Sequence, residues 1–550
     1  MRHALCLLIL SAPLLAQGPT WYVPDDFPSV QAALNGAASG ATVIVRPGTW
    51  VGAIDFLGKD IHLRSELGSA VTTLDGNGVT TAVKFVSGEG PGAILEGFTI
   101  TGGDGWWYGL GGGVTVSNGS SPVIRKNVIT GNRGDRGGGV ISRSSSPQIV
   151  DNLITRNSAQ GGGGICVRSD GGPGSTTISG NRIVGNAALH WAVGGGGILA
   201  DGNPYNNVSV TVTDNLISEN TAEHGGGMRV MNAASTLSDN VVTGNTAVLH
   251  GGGISLTIQA AAGLSQILVN NLIAGNTANS NGGGIAMNVI DPANSVVLTN
   301  CTIADNRATG TAISGQGRGG ALYWAAAPGR MDNCVLWGNS GQVGAQMYLG
   351  ELGSGSTVFV AHSLIQGGAS GVVIYNNQST LVWGAGNLDA DPLFVDPAGG
   401  DHHLTYASPC RDAGSNLAPS LPAQDFEGDP RIAGGTADIG CDEFHAHLYV
   451  TGTPSPGNTV HVKLAGAPDT QIVVLVVSLA GFIDPPLVTP FGDWYLAFPI
   501  ADPLWLPAIP SNGIFDLVLP IDLSFPVPIE FPMQAFVGLT LTNPCLLRIE

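Results

Sequence analysis

Lys126-Asn-Val-Ile-Thr-Gly-Asn132, followed by Gly137-Gly-Gly-Val140, is the phrase on which the reading of this chain turns. It returns with its final Asn at 157, 186, 220, 245, 276, 306 and 339, at intervals of 25 to 34 residues. Glycine runs follow the copies, as in Gly161-Gly-Gly-Gly-Ile165, Gly225-Gly-Gly-Met228 and Gly282-Gly-Gly-Ile285. Each unit holds short apolar-alternating stretches separated by tight bends, and no long 3.6-residue periodicity. A fixed short core with a variable period suits a coil whose turns stack while its loops vary. Strands of one coil then pair with the same strands of the next. Recurrent Asn at equal positions stacks as a hydrogen-bonded ladder, and Gly supplies sharp bends and close backbone approach. The expected fold is therefore all-β, a right-handed parallel β-helix.

Working outward, Phe27–Ser39 reads as a short helix capping the first coil, ahead of strands at Thr42–Arg46 and Ile61–Arg64. A solenoid end exposes core and unpaired edges, so a cap is expected. Residues 1–16 read as a secretory signal peptide: Arg2 and His3, then an apolar run to Ala16, too short to span a membrane. Residues 17–445 are assigned to the coil with its cap and closing segment, and 446–550 to a C-terminal β-sandwich-like domain. The last stretch holds 15 Pro and 7 Gly, against 47 Gly in residues 97–340. Alternation at Thr459–Leu464 and Gln471–Val477 supports strands there.

Gly 83 and Pro 33 make up about a fifth of the 550 residues, well above the average. Hydrophobic residues at 43% exclude a disordered chain, and the missing three-residue period excludes collagen. The net charge is −19, with only four Lys and no basic run, which argues against a nucleic-acid partner. No later apolar stretch is long enough for a transmembrane segment. Localisation is expected to be secreted, extracellular or at the cell surface. Six of seven Cys lie beyond the signal, and Cys410 and Cys441, flanking one acidic segment, are the expected disulfide. Cys301 and Cys334 replace the first ladder Asn of two adjacent copies and read as buried thiols.

Several stretches resemble bacterial right-handed parallel β-helix proteins of the pectate-lyase-like superfamily. They are Val23-Pro24, Val30-Gln-Ala-Ala33, Val43-Ile-Val-Arg-Pro-Gly-Thr-Trp50, Gly58-Lys-Asp-Ile61 and Leu74-Asp-Gly-Asn77. Asp391-Pro-Leu-Phe394, Asp401-His-His-Leu404, Ser408–Gly414, Gly428-Asp-Pro-Arg-Ile432 and Asp438-Ile-Gly440 resemble the choice-of-anchor type of closing segment. The glycine and Asn phrases are also similar to those of polymorphic outer-membrane proteins. The resemblance spans roughly residues 20–445. It implies the fold, and for function it implies a group that includes lyases, hydrolases, esterases and adhesins.

The loops between each final Asn and the next glycine run stack along one side. Reading down gives Trp106, Trp107, Tyr108, Asp135, Arg136, Gln160, His190, Trp191, Glu223, His224, His250, Asn281 and Arg318. Aromatic rings stack on sugars, and amides and charges take hydroxyls, so these are candidate ligand-binding residues. The expected partner is an extracellular glycan or cell-surface component, with the protein a binder or a structural, adhesive surface element. The alternative is a polysaccharide lyase or glycoside hydrolase on the same groove. For catalysis, Asp135 and Arg136 form the one adjacent acid–base pair there; Asp104, Glu223 and Asp305 are scattered. His224 and His250, with Glu223 nearby, are candidate metal ligands. The acidic run Asp389, Asp391, Asp396, Asp401, Asp425, Glu427 and Asp429 reads as turn-forming, with Ca²⁺ as its alternative.

Overall fold

A computed structural model describes residues 18–445, except 108, 191–192, 203–207, 259–262, 290–293, 313–315, 326–327, 351–354 and 376. Beyond 445 it describes backbone strands only. The expected signal peptide lies outside the described residues.

Each turn of the chain lays one short strand on each of four faces. In one coil these are Val114–Val116, Val123–Arg125, Val128–Thr130 and Arg133–Arg136, before Val140–Arg143 returns to the first face. Strands pair in parallel with the coil above: Val114 with Val140, Val123 with Gln148, Val128 with Leu153, Arg133 with Ser158. The four sheets have 12, 14, 12 and 8 strands in that order of faces. The fold is the expected right-handed parallel β-helix.

Strands of three or four residues leave one or two side chains pointing inward on each face. Down the second face the inward column reads Ile124, Ile149, Ile178, Val212, Leu237, Leu268 and Leu298, all almost wholly buried. The third face repeats it with Ile129, Ile154, Ile183 and Ile217. β-Branched and aliphatic residues suit these half-buried pleats. Each fully buried side chain contributes about 1.5–3 kcal/mol.

In the repeat region, two corners of the coils carry an Asn ladder. At the second-to-third-face corner, Asn127, Asn152, Asn181, Asn215, Asn240 and Asn271 are joined by Nδ2-to-Oδ1 bonds of 2.9–3.1 Å. At the next corner the ladder runs through Asn132, Asn157, Asn186, Asn220, Asn245, Asn276, Asn306 and Asn339. Cys301 and Cys334 continue the first ladder as buried free thiols, with the Cys301 N–H donating to Cys334 Sγ at 3.5 Å. The residue before each ladder Asn adopts positive φ. Besides glycines, these include Lys126, Asp151, Arg156, Asp214 and Glu219. The sequence reading gave such bends to glycine, whereas the Asn side chains pin the corner tightly enough to hold other residues there.

The glycine run turns the chain back onto the first face. Gly137 has φ +65°. A Cβ on Gly138 would sit 2.4 Å from Gly163 O, and one on Gly139 would sit 2.7 Å from Gly164 O. The coils touch backbone to backbone there, which only glycine permits.

The cap is the helix Val30–Gly36, shorter than expected, with Ser29 as N-cap. It buries Val30, Ala33 and Leu34 in the solenoid core. At the other end, residues after the last coil run back along the second-to-third-face corner. Asn300 Nδ2 donates to Asp438 O and Gly440 O, both at 3.0 Å. Asn270 Nδ2 donates to Gln424 O, and Arg431 Nη2 donates to Asn270 Oδ1. Asn333 exchanges bonds with Ser415. Where this segment lies, the positive-φ corner residue is Asn, which both donates and accepts.

The expected Cys410–Cys441 disulfide is not formed. Cys410 packs with Val335, Leu364, Leu404 and Ile439, whereas Cys441 packs with Leu272 and Ala274. The two thiols fill separate apolar pockets of the closing segment, and burial pushes the Cys410 thiol up to about 12.

Past 445 the strands are antiparallel. Leu448–Gly452, Thr459–Ala465 and Ile514–Pro520 form one sheet, and Val473–Val477, Ile529–Val537 and Cys545–Ile549 lie in another. The expected packing of these strands as a sandwich rests on side chains outside the described residues. No helix among the described residues is long and apolar enough to cross a membrane.

Candidate functional site

The outward column of the first face reads Ile141, Cys166, Leu199, Arg229, Ser255, Ala286, Tyr323 and Tyr348. These side chains point away from the core, yet all are buried. The face is therefore sheltered, and with the rows of side chains beside the glycine turns it forms the floor of a groove. The parallel column two residues on holds Arg143, Arg168, Asp201, Met231, Thr257 and Asn288. Along its length the floor changes chemistry. Ile141, Cys166 and Leu199 form an apolar patch with Val193 and Met231. From Arg229 onward the floor is mainly hydrogen-bonding and aromatic, with Ala286 between Ser255 and Tyr323.

The residues expected from the stacked loops form one wall of this groove, in separate rows. His224, His250, Asn281 and Arg318 share a row immediately before the glycine turn, linked because Gly225 N–H donates to His250 O, Gly251 to Asn281 O and Gly282 to Arg318 O. Asp135, Gln160 and His190 share a neighbouring row: Gln160 Nε2 donates to Asp135 Oδ1 at 2.5 Å, and His190 N–H to Gln160 O. Asp135 is thus engaged by Gln160 beside its chain neighbour Arg136, in the strand Arg133–Arg136. Trp106 and Trp107 stand at the N-terminal end. The Arg133 guanidinium lies 4.1 Å over the Trp106 ring, and Trp107 is 80% exposed. Tyr108 and Trp191 lie outside the described residues.

Two depressions interrupt the groove. One, of about 480 Å³, is lined by Leu110, Thr115, Ser117, Arg143, Ser144 and Asp170. The other, of about 310 Å³, is lined by His224, Arg229, His250, Thr257, Asn281, Asn288 and Tyr323. The rings of His224 and His250 lie 5.3 Å apart, and the row continues through Tyr323, Tyr348 and Tyr375 at 5.8–6.4 Å. Burial, with the charges of Arg229 and His250, pushes the His224 imidazole down to about 3. Burial lowers Arg229 to about 10, against the pull of Asp201 and Glu223, so it stays cationic at neutral pH. Arg229 Nη1 donates to Val193 O at 2.9 Å, which fixes it in the floor. Burial also raises the Glu223 carboxyl.

The structure does not bring Glu223, His224 and His250 together as a metal centre. The imidazoles lie ring against ring beside a guanidinium whose charge repels a cation. Among the described residues, the three-residue group with converging ligand atoms is His403, Glu427 and Asp442. The acidic run is largely taken up in turns. Asp389, Asp391 and Asp396 each accept from a backbone N–H, and Asp425 accepts from those of Glu427, Asp429 and Glu443.

Sequence reasoning missed the floor: Arg229, Ser255, Thr257, Asn288, Tyr323 and Tyr348. The available signal was the second residue after each glycine run. It is apolar at Ile141 and Leu199 and polar at Arg229 and Ser255, although Ala286 breaks the pattern.

A family model described as a right handed beta helix region matches residues 68–208. Among solved structures, XylC in complex with xylose is similar at 9% identity and a TM-score of 0.40, covering 83% of this chain and 91% of that one. Pectate lyase Pel9A is similar at 13% identity and a TM-score of 0.31, covering 78% and 97%. No curated protein matches the sequence. Residues 68–208 are thus a right-handed β-helix region by sequence, and the unbroken register of the sheets carries the same architecture to the strand Thr380–Trp383.

Proposed function

We propose that the groove over the first face binds an extended acidic polysaccharide outside the cell. The observation that carries this is the change in the groove floor at Arg229. From there a buried cation, the wall residues His224, His250 and Asn281, and the floor residues Thr257, Asn288 and Tyr323 surround one depression. Such a set offers hydrogen bonds to hydroxyls and a fixed positive charge to a uronate. Arg318 adds positive charge along the groove, and Arg143 and Arg168 share Asp170 as their partner at the other depression, in a chain whose net charge is −19. A secretory signal at residues 1–16, as their sequence suggests, would bring the protein to where such polymers occur. Residues 446–550 are proposed as a separate unit.

Affinity electrophoresis in gels containing polygalacturonate, with neutral xylan as the contrast, tests this. Wild-type protein is expected to be retarded by the polyuronate. Arg318→Ala and Trp107→Ala are each expected to weaken that retention about fivefold to tenfold, the loss of one charged or stacking contact. Mobility unchanged in every glycan gel would overturn the binding reading.

One observation favours a second reading, a polysaccharide lyase. His224 is held neutral at physiological pH beside cationic Arg229. That imidazole is a weak base as it stands, and a uronate carboxylate paired with Arg229 would offset the guanidinium charge that helps to depress it, so that it could take the proton α to that carboxylate. New absorbance at about 235 nm on polyuronate incubation, abolished in His224→Gln, is the signature of that β-elimination.

A further inference from the structure

Three stretches of the closing segment meet at one imidazole. His403, in the strand Asp401–Leu404, has Nδ1 2.6 Å from Asp401 Oδ1 and Nε2 3.0 Å from Glu427 Oε1. Asp442 arrives from the far side, held by the Leu404 N–H, which donates to its Oδ2 at 2.7 Å. A ring nitrogen of His403 and one carboxylate oxygen each from Glu427 and Asp442 lie within 4.8 Å of one another. Asp425 frames the site without joining it. Its Oδ1 accepts from the Glu427 and Asp429 N–H groups and its Oδ2 from that of Glu443, fixing the backbone that carries two of the three donors. The Phe426 ring, 5.6 Å from that of His403, walls one side. Asp442 is 1% exposed.

We propose that His403, Glu427 and Asp442 hold a divalent transition-metal ion, Zn²⁺ by their donor set, with Asp401 as the positioning residue for the His403 ring. One imidazole and two carboxylates from separate segments match the N/O chemistry of zinc, whereas Ca²⁺ takes oxygen ligands alone. A carboxylate on the second ring nitrogen is the usual outer partner of a metal-bound histidine. Three carboxylates face one imidazole, Asp401 and Asp442 buried and Glu427 partly exposed, and a dication among them would balance their charge. The ion would pin the strand Asp401–Leu404, the turn at 425–429 and the stretch at Asp442 to one point. Its role is structural, and it lies in a different part of the molecule from the groove.

The test uses the full chain, freed of metal with EDTA and desalted. ZnCl₂ titrated by calorimetry is expected to bind at one equivalent and to raise Tm. CoCl₂ in its place is expected to give visible d–d bands of a low-coordinate N/O site. CaCl₂ is expected to give neither a binding isotherm nor a rise in Tm. His403→Gln should abolish binding, Glu427→Gln should weaken it at least about tenfold, and Asp401→Asn about 10–100-fold. His224→Gln should leave the stoichiometry at one. Glu427 is partly exposed, so its variant is expected to keep the circular dichroism of the wild type. The proposal is overturned if the metal-free chain takes up no zinc, because the cluster is then a plain imidazolium–carboxylate network. It is equally overturned if uptake is unchanged in His403→Gln and Glu427→Gln.

Discussion

His224 is placed by one hydrogen bond of its own backbone and by what surrounds its ring. Its carbonyl accepts from Gly195 N–H, and its ring lies between Arg229 and His250. Its pKa in the folded chain is about 3, against an unfolded value near 6.5. A histidine depressed in this way is neutral when folded and binds a proton on unfolding. Its stability contribution is therefore fully present above about pH 6.5 and is lost as pH falls toward 3. His224→Gln should remove that loss. Chemical denaturation at pH 7.5 and pH 5 should show the wild type losing about 1–2 kcal/mol more than the variant, after allowance for partial exposure. Equal losses would mean that the ring is not held neutral by its surroundings.

At this scale the sequence was legible where position follows from stacking. His224 and His250 precede glycine runs in successive copies, so their adjacency follows from the repeat. Arg229 and Tyr323 were hidden because they sit inside strands, where only the alternation of inward and outward positions separates core from groove. Cys410 and Cys441 were misread as a pair, because sequence spacing does not say which apolar pocket each thiol fills, whereas Cys301 and Cys334 are the buried thiols expected.

The repeating element is the coil, and its corners depend on the Asn ladders. Asn220 shows the arrangement. Its Oδ1 accepts from Asn186 N–H and Nδ2, its Nδ2 donates to Ile183 O and Asn245 Oδ1, and its own N–H donates to Asn245 Oδ1. Asn220→Ala strands several buried partners at once, each worth about 1–3 kcal/mol. The expected loss is roughly 3–5 kcal/mol, read from the urea midpoint, with little change in the m-value. A cost below about 1 kcal/mol would show that water replaces the amide and that the ladder adds little. The ladder was readable from the recurring phrase, because Asn at a fixed place in every copy needs a partner in the next coil. The identity of the preceding corner residue was not. Its positive φ is imposed by the ladder from outside, so Lys126 and Glu219 give no local sign of it.

At the scale of the whole molecule, the closing segment is fastened to coils that precede it by 82 to 161 residues. Arg431 is its best-buried link, 1% exposed in side chain, donating to Asn270 Oδ1 at 2.8 Å and to Cys441 O at 2.5 Å. Arg431→Ala leaves those acceptors without their cation and opens a cavity. Limited proteolysis should then cut between about 390 and 445, while the far-ultraviolet circular dichroism of the coil is kept. Protease resistance equal to that of the wild type would show that the Asn300 and Asn333 contacts suffice. That the segment doubles back along one corner was not readable, since nothing in its own residues names the coil it lies on. The solenoid itself was readable along most of its length, because its contacts join neighbouring copies.

The two ladders and the glycine turn keep the coils they join in the same register, although the repeat interval varies from 25 to 34 residues. A binding surface built this way grows in whole steps. Duplicating one coil would lengthen the groove by about 4.8 Å and add one wall residue and one floor residue, without disturbing the rest. If the groove holds a polymer as proposed, the molecule is in effect a ruler, and its length is written in the number of times the phrase is repeated.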